Sequence, residues 1–171
     1  SNLEAPIIRK PFFCSGCPHN SSLKVPEGKR ALGGIGCHYM AVDSIESTEF
    51  FTQMGGEGTP WIGIAPFSHE KHVFANLGDG TYKHSGILAI RASLDANVNI
   101  TYKILYNDAV AMTGGQEIGS NWDVEGIVKQ VLAEGVKKVS ILSEDPKRYS
   151  QLVNNEVKSC LLYTSPSPRD Q

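Results

Sequence analysis

Apolar positions fall into a clear rhythm only in the second half of the chain. His72 to Leu77 is a short, almost continuous apolar run bounded by polar residues and glycine, the pattern of a strand buried on both faces. From His84 to Ala96 the apolar positions Ile87, Ile90 and Leu94 recur at helical spacing, and from Asn99 to Tyr106 Ile100, Tyr102 and Ile104 alternate as in a strand. Ser120 or Asn121 can cap a helix whose stripe is Val124, Ile127, Val128, Val131 and Leu132, with Gly135 ending it. Val136 to Leu142 predicts another strand, and Pro146 can open a final helix. Strands alternating with helices predict an α/β fold, a parallel sheet with helices on both faces.

The first half is less regular. Pro11 to Gly36 is rich in glycine, proline and small polar residues and predicts a loop, with a short strand at Arg30 to Leu32. Residues 40–51 have mixed apolar spacing that predicts a helix or a turn. The glycines and prolines of "TQMGGEGTPWIGIAPF" predict a loop with a short helix about Trp61. No internal repeat is present.

The 171 residues suffice for one ordinary domain with a real core. Lys+Arg 16 against Asp+Glu 18 leaves no basic field to attract nucleic acid. No apolar stretch approaches the ~20 residues of a membrane helix, and "SNLEAPIIRK" lacks the apolar core of a signal peptide, so the expected location is the cytoplasm, without a membrane. The chain starts at Ser1 and is expected to be a piece of something larger. Its last segment, "CLLYTSPSPRDQ", has no periodicity. Back-translated, its first eleven residues resemble a transposon-library sequencing adapter read in frame, so residues 160–171 are set aside as a non-biological scar. The division expected is therefore 1–37, a Cys/Gly/Pro-rich entry loop and first strand; 38–159, the α/β domain, truncated; and 160–171, the scar. Setting Cys160 aside leaves Cys14, Cys17 and Cys37, an odd number that argues for free thiols or an incomplete metal site over a disulfide framework.

Two strand endings carry the candidate chemistry. The run "VFANLGDGTYKHSG" stops at Gly78-Asp79-Gly80, and "YKILYNDAVAMTGGQ" stops at Asn107-Asp108. In a strand-helix-strand unit both strands finish at the same carboxyl edge, where open α/β sheets bind ligands, so Asp79 and Asn107 are expected side by side. Glycines at 78 and 80 allow close approach, and the amides opening the next helix can face an anion. A carboxylate, an amide oxygen and a nearby backbone carbonyl are hard ligands suited to Mg²⁺ completed by phosphate oxygens and water, which predicts a diphosphate held through a metal.

Gly-Asp-Gly followed after 26 residues by Asn-Asp resembles the signature of thiamine diphosphate enzymes. The resemblance implies Mg²⁺ ligation by Asp79, Asn107 and the carbonyl of Ala109. It places Gly78, Asp79, Gly80, Thr81, Tyr82, Asn107, Ala109, Ala111, Met112 and Thr113 at the cofactor. Thr113-Gly114-Gly115-Gln116 is similar to the motif of 2-oxoacid:ferredoxin oxidoreductases. More narrowly, "FFCSGCPHNSS", "GIGCHYMA", "FTQMGGEG", "HSGILAIRA" and "GVKKVSILSEDPKRY" resemble the diphosphate-binding domain of indolepyruvate ferredoxin oxidoreductases of the long, fused form. This implies oxidative decarboxylation of an arylpyruvate such as indolepyruvate to an acyl-CoA, with electrons passing through iron–sulfur clusters to ferredoxin. It also implies pyrimidine-binding and ferredoxin-like domains in the same complex and makes a dimer the natural expectation. In this family the glutamate that activates the cofactor comes from the partner domain. No catalytic residue is assigned here, Glu57 being read as a solvated loop carboxylate, and the segment alone is expected to be inactive.

Cys14-x-x-Cys17 with Cys37 resembles the ligation of a [4Fe–4S] cluster near the thiamine ring, the fourth ligand lying beyond the truncation. Zinc held with His19 and His38, and free buried thiols, stay open beside it. His84 could approach the diphosphate or be a surface residue; His69 and His72 receive no role. A nicotinamide-binding reading of "GGIGCHYM" fails for want of the third glycine and of a preceding strong strand. A zinc-stabilised, non-catalytic binding module is the remaining rival, and it leaves the spacing of Asp79 and Asn107 unexplained.

Overall fold

The computed structural model describes residues 10–45, 47–119, 123–143 and 145–149. Four parallel strands form the sheet in the order β2-β1-β3-β4: β1 (Ala31–Gly33), β2 (Thr48–Phe51), β3 (Val73–Gly78) and β4 (Ile100–Leu105). β3 and β4 pair over six residues, from Val73 against Ile100 to Gly78 against Leu105. The connection between them is one helical run: α4 (Asp79–Thr81), a π turn (Tyr82–Gly86) and α5 (Ile87–Asp95). The helix expected from His84 therefore begins at Asp79, immediately after Gly78 in extended conformation, because the glycine turn is itself the helix opening.

Strand alternation assigns the two faces. On one, Leu77 packs with Tyr82, Ile90, Ile127 and Val131, and Val73 and Ala75 pack with Leu32 and Trp61. This face is covered by α3 (Thr59–Ile64), α5 and α6 (Val124–Ala133). On the other, Leu105 packs with Leu23 and Ala41, carried by the loop around α1 (His19–Ser22) and by α2 (Ala41–Ser44). A side chain such as Leu77, fully buried, contributes on the order of 1.5–3 kcal/mol through burial alone.

Several expectations shift. Residues 40–51 hold a 3₁₀ turn (Cys37–Met40), α2 and then β2, an edge strand whose four residues are too short to leave a periodic signal. The strand expected at Val136 to Leu142 does not form a ladder among the described residues, although Val136 and Val139 pack on the core and Ile141 is buried. Apolar spacing there reports burial and not pairing. Helix α6 is capped by Asp123, whose carboxylate accepts from Gly126 N at 2.8 Å; Ser120 and Asn121 lie outside the described residues. Pro146–Tyr149 is a 3₁₀ turn, and the rest of the expected final helix and residues 160–171 lie outside the described residues. No helix among the described residues is long and apolar enough to cross a membrane.

Candidate cofactor site at the carboxyl edge

The paired ends of β3 and β4 deliver Asp79 and Asn107 to one place. Asp79 is 3% exposed. One of its oxygens accepts from Gly80 N at 2.9 Å; the other accepts from Asn107 N at 2.8 Å and Asp108 N at 2.7 Å. Asp108 adopts φ +55°, a left-handed conformation uncommon outside glycine and tolerated by Asp and Asn, which turns the chain back so that two consecutive amides reach the carboxylate. The Asn107 side-chain oxygen accepts from Ala109 N at 3.2 Å. Burial pushes the Asp79 carboxyl up, while the Asn107, Asp108 and Gly80 amides pull it down; Asp108 adds a smaller upward push. No cationic side chain contributes. A buried carboxylate near another acid suits a divalent ion, and the oxygens of Asp79, Asn107 and Ala109 are of the hard type that could hold Mg²⁺.

Past Asn107 the chain forms a two-stranded hairpin, β5 (Ala109–Val110) with β6 (Gln116–Glu117), its tip the 3₁₀ turn Ala111–Thr113. A Cβ on Gly80 would stand 3.2 Å from Val110 and 3.8 Å from Ile118, so this glycine lets the hairpin lie against the helix opening. Lys83 donates to the Ile118 carbonyl and ties the hairpin down. Met112 and Thr113 are exposed at the tip, where Thr113 and Gln116 bond to each other at 2.6 Å. Thr81 is buried in the first turn. Tyr82 departs from its expected place: its ring lies in the core, 1% exposed, with the hydroxyl donating to Gln130 at 3.0 Å. His84 is exposed and bonds Ser85.

The cysteine loop is different. Cys14 is exposed, Cys17 and Cys37 are half-buried, and all three are free thiols. Burial raises the Cys37 thiol, and the charges of Cys17 and Cys14 raise it further, so the three stand within electrostatic reach of one another. Among the described residues no group of three or more His, Cys, Asp or Glu side chains is placed to hold a metal ion. His19 and His38 stack edge to face at 5.8 Å and do not converge with the thiols as a zinc site. Burial, with a smaller contribution from His19, lowers His38 to about 3, so its ring is neutral.

Sequence reasoning missed the burial of three polar groups around the turn that follows β1. His38 is 4% exposed with Nε2 unpartnered, and Asn76, in the middle of β3, is fully buried with neither amide atom paired. Glu57, expected in solvent, is 1% exposed. An asparagine inside "VFANLG" was the visible signal for the second; the other two follow from tertiary packing. A Cβ on Gly34 would lie 2.2 Å from the Asn76 carbonyl and 2.6 Å from His38 Nε2, so only glycine fits there. Clefts of about 470 and 600 Å³ open elsewhere, one lined by Phe12, Phe13 and Lys24, the other by Pro26, Arg30 and Glu70. Neither includes Asp79.

A parallel sheet whose adjacent strands deliver an acidic Gly-Asp-Gly turn and an Asn-Asp turn to one edge is a cofactor-binding α/β domain, and the chain belongs to the thiamine pyrophosphate enzymes, matching their C-terminal TPP-binding domain over residues 34–152. Among curated proteins it is similar to the indolepyruvate oxidoreductase subunit IorA of Thermococcus kodakarensis, 27% identical over 150 aligned positions that cover 76% of this chain and 23% of the relative. It is also similar to IorA of Archaeoglobus fulgidus, 29% identical over 151 positions, 77% of this chain and 24% of the relative. The Pyrococcus abyssi IorA is 27% identical over 154 positions, 76% and 23%. The chain thus spans about a quarter of the length of the curated relatives it matches. No solved structure gives a significant match.

Proposed function

We propose that this chain is the diphosphate-binding part of a 2-oxoacid oxidoreductase of the long, fused indolepyruvate:ferredoxin type. It would act on an arylpyruvate such as indolepyruvate, decarboxylate it oxidatively to an acyl-CoA and deliver electrons to ferredoxin. The observation that carries the reading is the meeting of three backbone amides on the buried Asp79 carboxylate, with the Asn107 side chain alongside. The names of the relatives support the arylpyruvate substrate.

In this reading Asp79, Asn107 and the Ala109 carbonyl hold Mg²⁺, and Gly78, Gly80, Thr81 and the hairpin tip at Ala111, Met112 and Thr113 surround the diphosphate. Thiamine diphosphate, when bound, supplies the electron sink that decarboxylation of a 2-oxoacid needs. The protein's part is to anchor it, and the residues here are anchoring groups. The activating glutamate, the pyrimidine-binding domain and a ferredoxin-like domain belong to the rest of a cytoplasmic, dimeric complex, so the segment alone is inactive. In the same reading Cys14, Cys17 and Cys37 would supply three of four ligands to a [4Fe–4S] cluster, a role that rests on the resemblance of their spacing alone, since among the described residues the three thiols are not gathered as a metal-holding group.

Calorimetric titration of thiamine diphosphate into the chain tests the reading. Binding with Mg²⁺ that disappears in EDTA is the expected result. Equal affinity with and without the ion, or none in either, contradicts it.

A further inference from the structure

The loop before β1 is a nearly self-contained piece of chain laid on the sheet. Its backbone bonds run within it: Cys17 N donates to the Cys14 carbonyl at 3.0 Å, Asn20 N to Cys17 at 3.1 Å, Ser21 N to Pro18 at 2.9 Å and Lys24 N to Ser21 at 3.2 Å. Among the described residues, the hydrogen bonds that cross from residues 14–24 to the sheet are two. Lys103 Nζ, on β4, donates them to the Ser22 and Lys24 carbonyls at 2.7 and 2.8 Å. Between those carbonyls sits Leu23, fully buried against Ala41 and Leu105, as the apolar peg of the loop.

The surface beneath the loop is poorly satisfied. Asn76 alternates with Ala75 and Leu77, so it lies on the loop side of β3, in register with Lys103. It is fully buried, and neither of its amide atoms has a partner. His38 lies on the same side: a Cβ on Gly78 would stand 3.1 Å from its ring, and His19 of the loop packs edge to face on that ring at 5.8 Å. Its Nε2 is also buried without a partner. Each such atom has given up its water for nothing in return, and lifting the loop readmits water to it. Against this stand two bonds from an ammonium, stronger than neutral ones, and the burial of Leu23. An element held by few contacts over an unsatisfied surface opens locally, without unfolding of the sheet below it.

We propose that residues 14–24 are a strap that lifts from the sheet as one unit, that Lys103 is its catch, and that lifting exposes the Cys17 thiol to soft electrophiles. In the seated form Cys17 is half-buried, and among the described residues no side chains gather to hold a metal ion. A thiophilic metal ion taken up by this loop therefore enters through the open form. Cys14, exposed in the seated form, needs no such opening. The inference goes beyond the cofactor reading and does not depend on it, so its test uses no cofactor.

The test is pulse labelling of the chain with dilute N-ethylmaleimide, read cysteine by cysteine by fragment mass spectrometry, on wild type and Lys103→Met. With the reagent dilute, labelling follows the population of the open strap. Cys17 is expected to react about tenfold or more faster in Lys103→Met, the scale of one hydrogen bond to a charged group, while Cys14 stays within about twofold. An unchanged Cys17 rate overturns the inference. Hydrogen exchange on the same two chains separates a strap from a looser fold. Amides of residues 17–24 should speed up while those of β3 and α6 stay within about twofold; equal acceleration everywhere means that Lys103 supports the fold at large, which overturns the inference. If Lys103→Met does not fold by circular dichroism, Asn76→Leu decides through the opposite sign. Removing an unpartnered amide from beneath the strap should slow Cys17 labelling by about threefold or more, and an unchanged or faster rate overturns the inference.

Discussion

The carboxyl edge at β3 and β4 and the cysteine loop before β1 both carry residue types that bind cofactors, yet they differ in how far they are assembled. At the first, one βαβ unit brings three amides onto a single carboxylate at 2.7–2.9 Å. At the second, three thiols stay free and His38 Nε2 lacks a partner. The first is closed by contacts within about thirty residues of chain, fixed by a six-residue ladder. A four-thiolate site on the second needs a ligand that the described residues do not supply. Local topology can complete an anchoring site; a cluster site has to be completed from a distance.

That contrast can be broken by substitution. Asp79→Ala should cause the largest change, loss of Mg²⁺-dependent thiamine diphosphate affinity by about a hundredfold or more in calorimetry, since it removes both the metal's only charged ligand in the proposed set and the acceptor of three amides. Asn107→Ala should cost about tenfold, because it removes one neutral oxygen and leaves Asp79 in place. Replacing Cys14, Cys17 and Cys37 together by serine should change that affinity by less than about threefold while abolishing the iron–sulfur absorbance obtained on reconstitution with iron and sulfide. If the triple variant lost the cofactor as Asp79→Ala does, the two regions would be one site.

The smallest effect concerns the join between them. Lys103, paired across the sheet with Asn76, donates to the carbonyls of Ser22 and Lys24 at 2.7 and 2.8 Å and so pins the cysteine loop to β4. Burial lowers its amine from 10.5 to about 8. Between those values the unfolded chain binds more protons than the folded one, so this group's contribution to stability rises with pH across the window. Below the folded value its burial penalty is fully felt. Thermal melts of wild type and Lys103→Met should show the wild type gaining on the variant from pH ~8 to ~10, and parallel curves would remove Lys103 from the account.

Much of this was legible in the sequence where one period dominates. β3, β4, α5 and α6 announce themselves because Leu77, Ile90, Tyr102 and Val131 each recur at the spacing of the face they bury. The proximity of Asp79 and Asn107 followed from parallel topology alone. Illegible were features set by other parts of the chain: β2, an edge strand; the unpaired run from Val136; and the burial of Glu57, which depends on Ser85 and Tyr102. Tyr82 misled for the opposite reason, since a residue beside the motif turned its ring to the core.

The central claim is that the β3–β4 edge holds a diphosphate through a divalent ion at Asp79. Manganese substituted for magnesium makes it visible, because free Mn²⁺ gives a six-line electron paramagnetic resonance signal that immobilisation in a protein–diphosphate complex diminishes. The account predicts loss of the free-ion signal beyond what thiamine diphosphate alone produces when the wild-type chain is added, and no such loss with Asp79→Ala. The same loss with both chains, or with neither, would contradict it.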